Sequence, residues 1–504
     1  MTRRIGIDVG GTNTDAVLID DDHRVLARMK TPTTDDPSEG IERALAAVLP
    51  DDGAPIGWVA LGTTHALNAL LRRRDLGRVA VIRIGAPATR SVPPFTSWPA
   101  DLRDAIDAGT AIVAGGVEVD GRTHPVDHDA IRLAVEAAMP VDAVAITGTF
   151  SLQDPSQELE AERTVADVAG DVPVSLGHRV GGLGLLEREN AAIVNASLHA
   201  VANRVIDGFA RALAAHGLAA TPYLSQNDGT MMGVDRARAL PVLTIGGGPS
   251  NSIRGAAALT GLADALVVDV GGTSTDVGAI AHGFPRESAV GVEIGGVHTN
   301  FRMPDVVSVA AGGGTRILDD GALGLDSVGH RLTTEALVFG GSVPTLSDAA
   351  VAAGRATMGD AGRVGDRAWP DALLQADRRI ADALDRMKLA RGDVDVIVVG
   401  GGAVIVPPDV PGASALHRPD DADVANAVGA AIGLVSGEAE HVADVGDDRP
   451  AAIEAVLEDA RGRAAAAGAD PGHLETIWVE EIPLAYMDRP LSRLRAKVAG
   501  PPTA

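Results

Sequence analysis

The sequence predicts an α/β protein of two like-folded lobes with a small C-terminal addition, and three observations carry that reading. The octapeptide DVGGTNTD at 8–15 recurs as DVGGTSTD at 269–276, the copies differing only at Asn13 against Ser274. Each copy stands between apolar, β-rich runs: RRIGIDV (3–9) and AVLID (16–20) around the first, DALVVDV (264–270) and VGAIA (277–281) around the second. Between the copies, strand-like and helix-like periodicities alternate, the mark of an α/β chain with a mixed sheet.

Each repeat reads as a strand, a tight glycine turn and a returning strand, that is, a β-hairpin. After the first, PSEGIERALAAVL (37–49) and HALNALLRRR (65–74) predict helices, and RVAVIRI (78–84) a strand. DHDAIRLAVEAAM (127–139) and SQELEAERTVADVA (156–169) predict helices, each followed by a strand, VDAVAIT (141–147) and VPVSLGH (172–178). A long helix over about 187–216 leads into the second half, where a helix over 251–262 precedes the second repeat. A third strand-to-glycine junction follows at VDVIVVGGGAV (394–404), and the tail holds a helix, EAVLEDARGRAAAAG (454–468), and two β-like runs, TIWVEEIPLAYM (476–487) and LSRLRAKVAG (491–500). A chain of 504 residues exceeds one ordinary core. The expected division is 1–180 for the first lobe, 181–436 for the second and 437–504 for the tail.

A net charge of -25 argues against nucleic acid or an anionic membrane as partner, since both require a basic surface. Without cysteine, disulfides, thiolate metal sites and cysteine nucleophiles are excluded. The start of the chain shows no apolar signal core and no stretch reaches membrane-spanning length, so a soluble, unprocessed, cytoplasmic protein is expected.

A turn rich in Gly and Thr lets backbone N–H groups and hydroxyls approach phosphate oxygens where a Cβ would obstruct them. One such turn is only a hairpin; two predict a polyphosphate gripped from both sides by Gly10, Gly11, Thr12, Thr14 and Asp15 and by Gly271, Gly272, Thr273, Ser274 and Thr275. Asp8 and Asp269, just before the turns, are the expected catalytic carboxylates, holding Mg2+ directly or through water. Asp15 and Asp276 close the turns. Gly400, Gly401 and Gly402 offer bare backbone against which a nucleoside can pack.

The order of phosphate hairpin, connecting helix, second phosphate hairpin and adenosine glycines resembles the actin, Hsp70 and sugar-kinase superfamily. Further segments are similar to the hydantoinase/oxoprolinase A-type subunit: GTTHALNALLRR (62–73), LLERENAAIVNASL (185–198), YLSQNDGTMM (223–232), PVLTIGGGPSNSIRGA (241–256) and SVAAGGGTRI (308–317). The resemblance implies ribonuclease H-like lobes and an ATP-dependent hydrolysis of a cyclic amide, such as a hydantoin or oxoproline, through phosphorylation of the amide oxygen. It also implies ATP and Mg2+ as cofactors and a companion subunit, and the sequence has no recognisable hydrolytic nucleophile or Ser-His-Asp arrangement of its own. On the resembling segments Thr63, Thr64, Asn68, Asn195 and Asp228 are expected to face substrate. LDSVGHRLTTEALVFGG (325–341) departs from the family's pattern, as does Ala66-Leu67 before Asn68, which leaves the ring open.

Other features read more plainly. His124 and His128 have the spacing of a metal pair but flank Pro125. His65 suits a cap, and Asp348 suits either the family's site or a helix N-cap. A small-molecule kinase of the same fold would need a general-base Asp beside an acceptor hydroxyl. A nucleotide switch would need a partner-binding insertion, which the sequence does not show.

Overall fold

A computed structural model describes residues 3–33, 37–50, 52–118, 121–288, 291–389, 391–446, 448–484 and 491–503. Its main feature is the same three-strand unit built twice. In the first lobe Arg3–Val9 pairs antiparallel with Asn13–Ile19 and parallel with Ile56–Thr63, Asp8 standing opposite Asp15. In the second, Ala265–Val270 pairs antiparallel with Thr275–Ala281 and parallel with Val394–Val399, Asp269 standing opposite Asp276. The repeat in the sequence is therefore a repeat of strand register.

Each unit grows into a larger sheet. The first has nine strands, running from Val25–Pro32 through the hairpin to Ile56–Thr63, Thr221–Ser225 and Met231–Gly233, then Val435–Asp444, Leu491–Gly500 and the edge strand Glu475–Pro483. The tail thus supplies strands to the first lobe's sheet, and 485–487 of the predicted run 476–487 lie outside the described residues. The second sheet has six strands. A third, parallel sheet of four strands, Val174–Leu176, Ala143–Gly148, Val79–Ala86 and Asp107–Ala114, packs on the helix Leu185–Ala215 with Val79, Val81, Ala191 and Val194 in one buried cluster.

Local chemistry moved three predicted boundaries. The helix expected from 251 begins at Gly247, because Gly247-Gly248-Pro249, which reads as a turn, forms its first turn, where proline loses no hydrogen bond. The tail helix starts at Arg449, capped by the Asp448 carboxylate, which accepts from Ala451 N–H, with a proline in its first turn. The strand expected over 172–178 shortens to Val174–Leu176 and a helical turn, Gly177–Val180, follows.

The helices Gly247–Thr260 and Ala425–Ala431 lock the two halves together. A Cβ on Gly255 would overlap the Ala425 carbonyl, one on Gly429 would overlap the Asn251 carbonyl, and one on Gly6 of the first strand would overlap the Ala427 carbonyl. Backbone meets backbone at all three places, so the helix Ala425–Ala431 is wedged between the first strand and its partner helix. Among the described residues no helix is long and apolar enough to cross a membrane.

Candidate nucleotide site

Strand register and helix crossing together place four carboxylates around the two turns. Asp8 is 3 % exposed. Asn251 Nδ2 donates to its Oδ1 at 3.3 Å and Asn426 Nδ2 to its Oδ2 at 3.0 Å. Asn426 Nδ2 also lies 3.0 Å from Asp15 Oδ2, while Lys30 Nζ takes Asp15 Oδ1 at 2.7 Å and the Asp423 carbonyl at 2.8 Å. Across the cleft Ser252 Oγ donates to Asp269 Oδ2 at 2.6 Å, and Ser308 Oγ donates to Asp276.

Burial pushes the Asp8 carboxyl up to about 6, the charge of Asp15 and then of Asp269 adding to it against the pull of the two amides. Asp276 is likewise pushed up to about 6 by burial. Asp15 is raised by burial despite Lys30, and Asp269 by burial despite Ser252. Four carboxylates short of counter-charge are a poor packing solution and a good cation environment.

The turns close identically, Gly10 N–H on the Asn13 carbonyl at 3.0 Å and Gly271 N–H on the Ser274 carbonyl at 2.9 Å. They also meet: a Cβ on Gly272 would lie 2.9 Å from Thr12 Cγ2. Gly11 has nothing within 4 Å of its Cβ position. Gly11 and Thr273 are exposed, and Thr12, Asn13 and Ser274 half-buried. Thr14 and Thr275 are fully buried and brace the turns from behind, Thr14 Oγ1 3.4 Å from Thr33 Oγ1 and Thr275 Oγ1 donating to the Ala311 carbonyl at 3.0 Å. Behind the second turn, Gly313 and Gly314 N–H donate to the Gly271 and Gly272 carbonyls at 3.0 and 2.7 Å.

The third glycine run reaches the same place. Gly400 has φ +88, where only glycine is relaxed, and a Cβ there would overlap Asp269 Oδ1. Gly402 N–H donates to the Val270 carbonyl at 2.8 Å. Thr64 N–H and Oγ1 both donate to the Val9 carbonyl, at 3.2 and 3.3 Å, and Asn68 Nδ2 donates to Thr64 Oγ1 at 3.3 Å. Thr63 Oγ1 lies 2.8 Å from His65 Nδ1, and a Cβ on Gly62 would overlap both Asp8 Oδ1 and Asn251 Nδ2. Gly62 therefore borders Asp8, while Thr63 and Thr64 stand beside Val9 and Asn68 reaches Thr64.

Two expected residues do not join this group. Asn195 is fully buried, its amide donating to Ser175 Oγ at 2.9 Å and the Ala239 carbonyl at 3.0 Å and accepting from Val242 N–H at 3.2 Å, so it ties the long helix to its neighbours rather than facing a ligand. Asp228 is held by the buried Lys497, Nζ to Oδ2 2.5 Å. Asp348 occupies the third position of a capping box whose N-cap is Thr345. His124 turns to Glu118 and His128 to Thr164.

Lys30 and Asn426 were missed because neither lies in a motif, and Asn251, Ser252 and Ser308 because the resembling segments 241–256 and 308–317 do not show which of their polar residues point at a carboxylate. Mg2+ fits the hard oxygen donors Asp8 and Asp269. Among the described residues no three His, Asp or Glu side chains converge to chelate a metal alone.

Residues 4–169 match the family model described as hydantoinase/oxoprolinase N-terminal region, and residues 188–362 that described as hydantoinase/oxoprolinase. The chain is 29% identical over 435 residues to the caprolactamase subunit alpha of Pseudomonas jessenii, covering 79% of this chain and 61% of that protein. It is 26% identical over 399 residues to the acetophenone carboxylase gamma subunit of Aromatoleum aromaticum, covering 69% and 53%. The chain thus spans little more than half the length of these relatives. The crystal structure of the ATP-dependent caprolactamase from Pseudomonas jessenii shares the fold with a TM-score of 0.78 at 21% identity, covering 99% of this chain and 87% of that one.

Proposed function

Because the chain belongs to the hydantoinase/oxoprolinase family, with the two-lobed α/β fold of actin-type ATPases, we propose that it binds Mg·ATP between its paired hairpins and uses the γ-phosphate to open a cyclic amide. The observation that carries this is the meeting of the two turns, Thr12 against Gly272, with Asp8 buried and Asp269 half-buried behind them.

A lactam carbonyl is resonance-stabilised and its nitrogen leaves poorly. Transfer of the γ-phosphoryl group to the amide oxygen releases ADP and leaves an imidate phosphate; water adds to its carbon, the C–N bond breaks to free the amine and leave an acyl phosphate, and a second water releases phosphate from it to give the carboxylate. Bound Mg2+ supplies neutralisation of the polyphosphate charge. The chain's own groups position: Gly11 and Thr12, with Gly272 and Thr273, present backbone and hydroxyl donors, Lys30 adds a positive charge beside Asp15, and Gly400 to Gly402, packed closely on Asp269, Lys30 and Val270, offer the main chain on which the nucleoside is proposed to lie. Thr63, Thr64 and Asn68, which follow Gly62 and join onto Val9 next to Asp8, are on the side proposed for the amide.

The relatives' names are those of subunits, which supports a companion chain for ring opening. The test is phosphate release by the purified chain with and without a panel of five- to seven-membered lactams and hydantoins, about 1 mM each and near common KM values. Amide-independent release, unchanged by any ring, defeats the reading. A second reading, a carboxylase subunit acting on a small ketone, is favoured by the acetophenone carboxylase relative; ketone with bicarbonate in the same assay separates the two.

A further inference from the structure

Two buried carboxylates one strand apart repel each other unless a proton or a cation lies between them. Here the bridge is an amide. Asp8 and Asp15 face each other across the first hairpin, and the single Nδ2 of Asn426 lies 3.0 Å from an oxygen of each. Asn426 Oδ1 accepts from Ala427 N–H at 2.9 Å, which fixes the amide so that its two N–H bonds point one to each carboxylate. The other Asp8 oxygen is held by a second amide, Asn251, from the partner helix. Lys30 reaches only the outer oxygen of Asp15. Asp8 is therefore oriented at both oxygens by neutral donors, and among the described residues no cationic side chain lies within hydrogen-bond reach of it.

Resting on the Mg·ATP reading above, we propose that Asn426 is a positioning residue that gives the site its demand for a divalent cation: it aligns Asp8 with Asp15, whose charge Lys30 meets, while leaving the charge of Asp8 uncancelled. A lysine or arginine in its place would align the carboxylates and neutralise them together, removing the attraction for the ion. Alanine would leave two carboxylates with no donor between them, Asp8 held only by Asn251 and Asp15 only by Lys30. An amide alone combines fixed geometry with unrelieved repulsion, and the incoming ion relieves it. The wedged helix Ala425–Ala431 makes the arrangement rigid, because Gly6 and Gly429 pin it against backbone on both sides.

The experiment compares the full chain with Asn426→Ala and Asn426→Lys. Mn2+ affinity is read by electron paramagnetic resonance in the presence of a non-hydrolysable ATP analogue, and analogue affinity in EDTA by calorimetry. Asn426→Ala is expected to weaken Mn2+ by about tenfold or more, the usual effect of removing a ligand-orienting partner, while metal-free analogue binding stays within about twofold. Asn426→Lys is expected to bind the analogue as well in EDTA as with metal. Unchanged Mn2+ affinity in Asn426→Ala overturns the proposal, as does an equal loss of Mn2+ and metal-free analogue binding, which marks a merely structural role. Should Asn426→Ala not fold, Asn251→Ala removes the other amide on Asp8 and carries the same expectation. A wild-type chain that binds neither analogue nor Mn2+ overturns the Mg·ATP reading itself; one that binds both, with variants that match it, overturns only the role of Asn426.

Discussion

Lys30 lies across Gly401: a Cβ on Gly401 would fall 3.3 Å from Lys30 Cε and 3.8 Å from Nζ. Its ammonium also holds Asp15 and the Asp423 carbonyl, so one aliphatic chain spans from the first hairpin's outer strand to bare backbone of the second lobe. Gly401→Val displaces that chain. Overpacking of this kind costs about 1–3 kcal/mol, and ATP affinity is expected to fall roughly tenfold with the circular dichroism spectrum unchanged. Calorimetry giving the wild-type affinity moves the nucleoside elsewhere.

Asp8→Asn and Asp269→Asn are each expected to lower ATP turnover by about a hundredfold, or roughly 3 kcal/mol, the common effect of losing one preorganised electrostatic partner. Neither should destabilise the fold in EDTA, because burial already disfavours both charges. Near-normal phosphate release in both variants would remove these carboxylates from the chemistry.

The raised carboxyls fix the sign of a pH effect. With Asp8 and Asp276 near 6 in the folded chain, against the ordinary 3.8, the folded state binds more protons than the unfolded one between about pH 4 and 6. Stability without nucleotide and metal should therefore fall as pH rises through that window. Glu438, which burial pushes up to about 7, extends the fall toward neutrality. Glu158 and Asp228, held below their usual range, act only at lower pH. Melting temperatures from pH 4.5 to 7.5 check this, and Asp276→Asn should flatten part of the slope; a Tm that rises across the window contradicts it.

Lys497 is fully buried between Asp228, 2.5 Å away, and Glu287, 3.3 Å away. Removing one member of such a group strands the others, so Lys497→Met is expected to lose about 3–5 kcal/mol of stability in urea unfolding. A loss below about 1 kcal/mol would mean that water reaches the acids.

The repeat made the hairpins, their facing carboxylates and the glycine run at 400–402 legible in the sequence, because Gly, Thr and Asp at fixed offsets have few alternative uses. Asn251 and Asn426 were illegible for the opposite reason: one asparagine in an Ala-rich helix has the same local signature whether it points to solvent or into a cleft. Asn195 and Asp228 misled through their setting, since polar residues on segments resembling a family's are also what tie a long helix or a buried lysine in place. The strand Leu491–Gly500 was readable as β, but alternation tells which face is apolar and not which sheet the strand will join.

That last strand has a consequence for how the protein is made. The sheet that begins with Arg3–Val9 is completed by Leu491–Gly500, which pairs with Val435–Asp444. At about 5–20 residues per second, a ribosome leaves the first lobe without that strand for tens of seconds after its hairpin has emerged. Through that interval the growing end of the sheet stays open, and Val435–Asp444, once it has covered Met231–Gly233, is the edge whose backbone waits unpaired for Leu491–Gly500.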